Sequence, residues 1–184
     1  MLILGIETAT ARVGCAIGGH EGVLALFEVT RGRRHAEVLV PAIRAALDRA
    51  EIAIDEIGCV AVDVGPGLFT GMRVGIATAK SLAHALRIPT IGIPSLDLLA
   101  FPVRHSRRTI VAVVDARRGE VYSALYRSVP GGVQRITEPA VLAPDDLAAD
   151  IEARAEDVLF VGDGALRYRD VLGKVRRAEV ADAW

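Results

Sequence analysis

The sequence predicts an α/β protein in which mixed sheets carry packed helices, and three observations support this class. Three apolar segments joined by short turns open the chain, which indicates an antiparallel meander. Apolar segments of strand length then alternate with two long stripes of helical periodicity, which is typical of β-helix-β units. After Pro94 a second hairpin follows with a similar layout, so the sequence favours a duplicated architecture.

The first half of the chain supplies most of the predicted elements. Strands are expected at residues 2–6, 13–17, 23–29, 59–64 and 90–93, and helices at 33–50 and 68–86. Pro41 lies inside the first helical stripe, so we expect either a kink in the first turn or a helix that begins near Val40.

The second half is predicted to begin with a short helix capped by Ser95. We expect this helix at 95–100, a surface linker at 104–108, strands at 110–114, 120–126 and 158–161, and a helix at 144–155. Acidic residues suit the first turn of the last helix. The sequence Gly162-Asp163-Gly164 reads as a tight turn.

Composition limits the possible partners. The chain has 184 residues, of which 52% are hydrophobic, and a formal net charge of −1. Such a chain buries a substantial core but has no global attraction to nucleic acid, so an RNA contact must be local or come through a partner. Cys15 and Cys59 lie in predicted strands as buried, reduced thiols. The first apolar run stops at Glu7 and no run reaches spanning length, so we expect a cytoplasmic protein without membrane contact.

The second long helix carries a row of small residues at every fourth position: Gly71, Gly75, Ala79 and Ala83. That spacing places them on one face. A helical glycine costs about 1 kcal/mol relative to alanine, so close approach of another backbone is the expected compensation. The row either packs in the protein's own core or receives a second subunit, with Arg73 and Lys80 at its rim, and the sequence alone leaves both open.

Polar groups at the end of the first strand are the candidates for nucleotide binding. Glu7 could hold Mg²⁺ through water, while Thr8 and Thr10 reach phosphate oxygens. The alternative is an ordinary surface turn. None of the four histidines has a metal-binding partner at helical spacing, so no metal site and no catalytic constellation are predicted.

Several strings spread in order along the chain resemble the TsaB (YeaZ) family of bacterial tRNA threonylcarbamoyladenosine synthesis. They are LGIETAT, RRHAEVLVPAI, GPGLFTGMRVGIATAKSLA, IPSLDLLA, VVDARRGEVYSALY and VGDGA. The resemblance implies a two-lobed fold of the actin, sugar kinase and Hsp70 type (ASKHA). We expect an N-terminal lobe over residues 1–101 and a smaller C-terminal lobe over 102–184.

The resemblance also implies that TsaD and this chain have different roles in the reaction. The related protein TsaD transfers the threonylcarbamoyl group and carries an H-x-x-x-H metal pair on its first helix. Here His35 matches the first position of that pair, but Leu39 occupies the second. A leucine cannot be a metal ligand, so the chain is expected to be an inactive paralogue without a metal or a cofactor of its own, and ATP-Mg²⁺ would enter through the partner complex.

In that family the helices at 33–50 and 68–86 pair with TsaD, or with a second copy when TsaD is absent, and the ATPase TsaE then joins. The implied contact row is Gly71, Gly75 and Ala79, with His35, Thr70 and Arg73 at its margin. On this hypothesis Gly75→Leu leaves the monomer folded and abolishes pairing, and tRNA is reached only through the complex. The alternative is a stand-alone kinase of the same superfamily, with Asp115 or Asp163 as base, or an M22-type peptidase.

Overall fold

The computed structural model describes residues 1–30 and 35–182, and the chain divides into two compact units, Met1–Pro94 and Ser95–Trp184. The boundary therefore falls before the short helix at Ser95–Ala100, rather than after residue 101, and the two units are nearly equal in length. The reason is packing: Leu96 and Ala100 are fully buried in an apolar cluster with strand residues of the second unit.

The first unit is a five-stranded sheet with two long helices. Its elements are β1 (Leu2–Glu7), β2 (Val13–Gly19), β3 (Gly22–Val29), α1 (His35–Ala50), β4 (Ile57–Asp63), α2 (Phe69–Leu86) and β5 (Thr90–Ile93). The strand order is β3-β2-β1-β4-β5. The first three strands pair antiparallel, and β4 and β5 continue the sheet in parallel. The predicted meander followed by a β-helix-β unit is confirmed.

The second unit repeats this plan. Its elements are α3 (Ser95–Ala100), β6 (Thr109–Arg117), β7 (Glu120–Val129), β8 (Gly132–Arg135), β9 (Ala140–Leu142), α4 (Pro144–Arg154), β10 (Val158–Val161), α5 (Asp163–Arg167), α6 (Arg169–Leu172) and β11 (Ala178–Val180). Its main path is β11-β10-β6-β7-β8. In both sheets the first strand has an antiparallel hairpin partner on one side and a parallel partner on the other. The predicted duplication is confirmed.

Both long helices pack on the same face of the first sheet. Leu4 and Ile6 of β1 lie in one apolar cluster with Leu39 of α1 and Ala79 of α2. In the part of the chain that the structure describes, no helix is long and apolar enough to cross a membrane.

Two local expectations differ from the structure. Of the two alternatives for Pro41, a helix that begins near Val40 is wrong, since α1 already includes His35 and runs through Pro41. The proline is exposed, whereas Leu39, Ala42 and Ile43 around it are buried, so apolar packing holds the helix across the break in its hydrogen bonds. The tight turn at residues 162–164 is shorter than expected: Gly162 has φ +111°, and Asp163 already begins α5.

Candidate functional site

A glycine track, defined as Gly67, Gly71 and Gly75, lets α2 lie directly against the end of β1. A Cβ atom at Gly67 would come within 3.0 Å of the Ala9 carbonyl oxygen, and one at Gly71 equally close to the Thr8 carbonyl oxygen. A Cβ at Gly75 would overlap Thr8 Oγ1. Gly71 and Gly75 lie four residues apart in α2 and therefore share a face, whereas Gly67 precedes the helix and meets the next residue of the same turn. The close approach inferred from the sequence exists, and its partner is this chain's own turn.

The small-residue row of α2 is therefore part of the core of the first unit. Gly71 and Gly75 are buried, Ala79 is fully buried and Ala83 nearly so. The expectation that Gly71, Gly75 and Ala79 form an exposed contact row for another subunit is wrong, since β1 and its turn already cover them. A leucine at Gly75 would collide with Thr8, so Gly75→Leu is now expected to disturb folding itself.

His35 is also an internal residue and does not lie at the margin of a surface. Its side chain is buried at the start of α1, and Nε2 lies 3.1 Å from the Thr10 carbonyl oxygen. Its Cδ2 would lie 3.3 Å from a Cβ at Gly71. One turn later Leu39 is fully buried in the apolar cluster. His35 therefore joins α1, the turn after β1 and the start of α2.

The outer face of α1 and α2, defined as Val40, Pro41, Phe69, Thr70, Arg73 and Ala77, is exposed and points away from the sheet. Phe69 is 68% exposed, and the Arg73 guanidinium lies 5.5 Å from the centre of its ring. Val40 is 55% exposed and lines an open depression of about 300 Å³ with Pro41. Of the predicted interface residues, Thr70 and Arg73 thus remain on the surface.

The turn after β1 satisfies its own polar groups. The Thr10 amide and hydroxyl both donate to Glu7 Oε1, at 3.0 and 3.1 Å, and the Thr8 hydroxyl donates to the Gly71 carbonyl oxygen at 2.9 Å. Thr8 and Thr10 are buried. Nucleotide binding by Glu7, Thr8 and Thr10 stays a prediction. It would require the two hydroxyls to exchange their protein acceptors for phosphate oxygens, and Glu7 to exchange the Thr10 donors for a hydrated Mg²⁺.

Glu7, which is partly buried, and Asp63, which is buried, pair at the carboxyl ends of the parallel neighbours β1 and β4. Burial raises the pKa of Glu7 to about 9, and the hydrogen bond and negative charge of Asp63 add to that effect. Asp63 Oδ1 in turn accepts a hydrogen bond from the Gly65 amide at 2.7 Å. The raised pKa follows from physical chemistry, because burial and a nearby negative charge both disfavour the ionised form of a carboxyl group.

The second sheet carries a corresponding pair of acids, Asp115 and Asp163, and two arginines lie close to Asp115. Asp115 Oδ2 lies 3.0 Å from Arg117 Nη1 and 3.6 Å from Arg167 Nε. The Asp115 amide donates to Asp163 Oδ1 at 3.2 Å, and burial raises the pKa of Asp163. Asp115, considered above as the base of a kinase, therefore lies between two arginine side chains, and its role as a base stays a prediction.

Across residues 1–30 and 35–182, no three His, Cys, Asp or Glu side chains gather as a metal ion would require. The sequence reasoning missed two features of the site, Gly67 and the pairing of Glu7 with Asp63. The available signal was the position of each acid at the end of a strand, since neighbouring parallel strands bring their carboxyl ends together.

The two α/β units share the same strand order, and this repeated arrangement defines the class of protein. It is the two-lobed fold shared with actin, sugar kinases and Hsp70. A solved sugar kinase, the ROK hexokinase from Thermus thermophilus, matches 96% of this chain and 88% of its own with a TM-score of 0.55 at 14% identity. At that identity the likeness shows the fold alone.

Closer matches show the family. The family model described as "TsaD: tRNA N6-adenosine threonylcarbamoyltransferase" matches residues 29–183. The tRNA threonylcarbamoyladenosine biosynthesis protein TsaB of Bacillus subtilis is 31% identical over 94% of this chain and 77% of its own length. TsaB of Escherichia coli is 33% identical over 95% and 76%. The structure of YeaZ from Pseudomonas aeruginosa covers 99% of this chain and 84% of that chain, with a TM-score of 0.81 and 29% identity. The chain belongs to the TsaB (YeaZ) family.

The extent of these matches differs between relatives. An uncharacterized protein of Mycobacterium leprae is 46% identical over 79% of this chain, but the match spans only 40% of that relative's length.

Proposed function

We propose that this chain is a non-catalytic subunit that pairs with TsaD and recruits TsaE for threonylcarbamoyl transfer to N6 of the adenosine beside the tRNA anticodon. In the absence of TsaD the same surface joins two copies of the chain. The reaction takes place in the cytoplasm, ATP-Mg²⁺ enters through the partner complex, and most of the tRNA affinity comes from that complex because the chain's net charge is −1.

The observation that carries the proposal is the outer face of α1 and α2. The inner faces of both helices are filled by the first sheet, whereas Val40, Phe69 and Arg73 stand in solvent. An exposed aromatic ring with a stacked arginine, beside small and aliphatic residues, has the composition of a protein interface. A stable interface buries roughly 800 Å² on each partner, which the outer sides of two long helices can supply.

The geometry of His35 and Leu39 supports a non-catalytic role. In TsaD the corresponding positions are a metal-binding histidine pair. In this chain His35 binds the Thr10 carbonyl oxygen, and Leu39 is fully buried in apolar packing. Both side chains therefore take part in the internal packing of the first unit.

The interface is tested with Ala77→Glu, which places a long charged side chain in the middle of the outer face. Ala153→Glu on α4 is the matched control, since Ala153 is also an exposed helical alanine. Both variants are expected to fold. Size-exclusion chromatography with light scattering should show that wild type and Ala153→Glu co-elute with TsaD and that Ala77→Glu does not. Equal co-elution of all three would overturn the proposed surface.

The role is tested by reconstituting the reaction from purified TsaD, TsaE, tRNA and substrates. Nucleoside mass spectrometry should detect modified adenosine only when this chain and TsaD are both present. Modification by this chain without TsaD would overturn the non-catalytic role, as would phosphoryl transfer to a small molecule by the chain alone.

A further inference from the structure

The C-terminal half of α2 and the turn after it carry an excess of positive charge. No acidic residue lies between Asp63 and Asp97 in the sequence, whereas Lys80, His84 and Arg87 fall within that stretch. All three are exposed. Residues four apart on a helix lie one above the other, so Lys80 and His84 share a face, and Arg87 follows at the helix end. We call Lys80, His84 and Arg87, with Thr90, the basic end of α2.

These charges have no carboxylate partner among the residues that the structure describes. Elsewhere in the described chain exposed arginines commonly form ion pairs, such as Arg154 with Asp150 and Arg176 with Glu152. At the basic end of α2 no acid lies between residues 64 and 96, so Lys80 and Arg87 have no carboxylate neighbour within their own helix or the turn after it. A cluster of basic side chains attracts polyanions locally, even though the whole chain is close to neutral.

The basic end of α2 lines a shallow, open depression of the surface. Lys80, His84, Arg87 and Thr90 line one open depression of about 690 Å³, together with Ala83, Ala85 and Ile88. The Arg87 amide donates to the carbonyl oxygens of Ala83 and His84 at the end of the helix. Small and aliphatic side chains share the lining of the depression with Lys80 and Arg87, whose side chains are donors only.

The helix dipole does not account for this arrangement. Cations stabilise the C-terminal end of a helix, but the effect falls off within the last turn. Lys80 lies before the last turn of α2, and Arg87 is already the cap residue beyond it. A purely stabilising role would also not require a shared depression with the Thr90 hydroxyl.

We propose that the basic end of α2 binds phosphate groups of an RNA backbone. The inference deepens the proposed function, on which it rests: a subunit of a tRNA-modifying assembly that contacts its RNA substrate directly. Lysine and arginine donors around an open depression suit phosphodiesters, which are recognised by charge without reading the bases. The surface is also separate along the helix from Phe69 and Arg73, which serve the protein partner.

The test removes two charges while keeping the backbone. Arg87 has φ +57°, a conformation that asparagine tolerates, so the variant is Lys80→Gln/Arg87→Asn. The matched control is Arg127→Gln/Lys174→Gln, which removes one lysine and one arginine from exposed positions of the second unit. Binding of a fluorescein-labelled hairpin RNA is measured by anisotropy over a salt series, for the full chain alone and for its complex with TsaD.

The double variant is expected to bind the RNA about tenfold more weakly than wild type, and the slope of log affinity against log salt should fall by about 2, one for each lost phosphate contact. The control should match wild type, and Lys80→Arg should retain binding. Equal affinity of the double variant and the control would overturn the proposal, as would the absence of salt-dependent RNA binding by both wild-type samples.

Two further measurements separate the alternatives. If inorganic phosphate or pyrophosphate saturates the basic end of α2 in calorimetry while the RNA does not compete, the site takes free phosphate and the RNA assignment is wrong. If the double variant loses co-elution with TsaD but keeps RNA binding, the surface belongs to the protein partner, which overturns this inference and leaves the proposed function intact. Loss of RNA binding with intact co-elution supports the inference.

Discussion

The contact between Thr8 and Gly75 gives the sharpest prediction about the first unit. The Thr8 hydroxyl oxygen decides whether an alanine at position 75 destabilises or stabilises the protein. A Cβ at position 75 would overlap Thr8 Oγ1, and that hydroxyl donates at 2.9 Å to the Gly71 carbonyl oxygen in a fully buried position. In Gly75→Ala the hydroxyl must leave this hydrogen bond, which costs about 1–3 kcal/mol. Alanine also gains about 1 kcal/mol of helix propensity.

A double-mutant cycle that combines Gly75→Ala with Thr8→Ala measures how much of the effect at position 75 comes from the Thr8 hydroxyl. Once Thr8 Oγ1 is removed, Gly75→Ala should keep its propensity gain and stabilise the protein by about 1 kcal/mol. The coupling free energy between the two sites is then about 1–3 kcal/mol. Urea unfolding followed by circular dichroism measures all four proteins. A coupling smaller than about 0.5 kcal/mol would refute the claim that the glycine track is set by contact with Thr8.

Three further predictions follow from the described contacts. Gly71→Ala should destabilise the chain by about 3 kcal/mol in urea, because its Cβ meets the backbone oxygen of Thr8, which cannot rotate away; wild-type stability would contradict the close approach. Glu7 has a pKa of about 9 in the folded chain against an ordinary value of 4.5, so the stabilisation from its extra proton is complete below pH 4.5 and is lost as pH rises to about 9. Glu7→Gln should therefore remove a pH dependence of up to about 1.4 kcal/mol per pH unit in that window, and identical slopes for both proteins would refute the raised pKa of Glu7. Asp97→Ala should cost about 2–3 kcal/mol, since it strands the buried Tyr126 hydroxyl (2.7 Å from Asp97) and the Arg135 guanidinium (2.8 Å), and thermal melts that match wild type would show the network to be unimportant.

The long elements of the fold could be predicted because their periodicity is local. Strands β1, β2 and β3 and helix α2 fall within a few residues of the expected bounds. Strands β8, β9 and β11 were missed, because three or four residues give too short a pattern to distinguish from loop. Helix α1 continues through Pro41 because tertiary packing outweighs a local breaker, and a local pattern cannot report that balance.

The site was harder to predict, because its contacts join distant segments. The row at Gly71 and Gly75 required a close neighbour, but its spacing did not say whether the neighbour was another subunit or the turn at Thr8. The acid pair of Glu7 and Asp63 depends on parallel pairing of β1 with β4, which only the topology of the sheet reveals. The spacing of residues along a helix predicts which of them share a face. Which segment packs against that face depends on the arrangement of the strands.

The glycine track also fixes the mechanical character of α2. A helix that meets its support through side chains can roll or slide by repacking them, whereas α2 meets the Thr8 backbone directly at Gly71, and the Leu68 amide just before it donates to the Ala9 carbonyl oxygen. Rotation of α2 about its axis would drive the Cβ atoms beside the glycines into that backbone. We therefore expect the helix and the turn to move together as a rigid unit. Whatever binds to the far side of α2 therefore meets a surface already held in its final position, and association spends little free energy on ordering the helix.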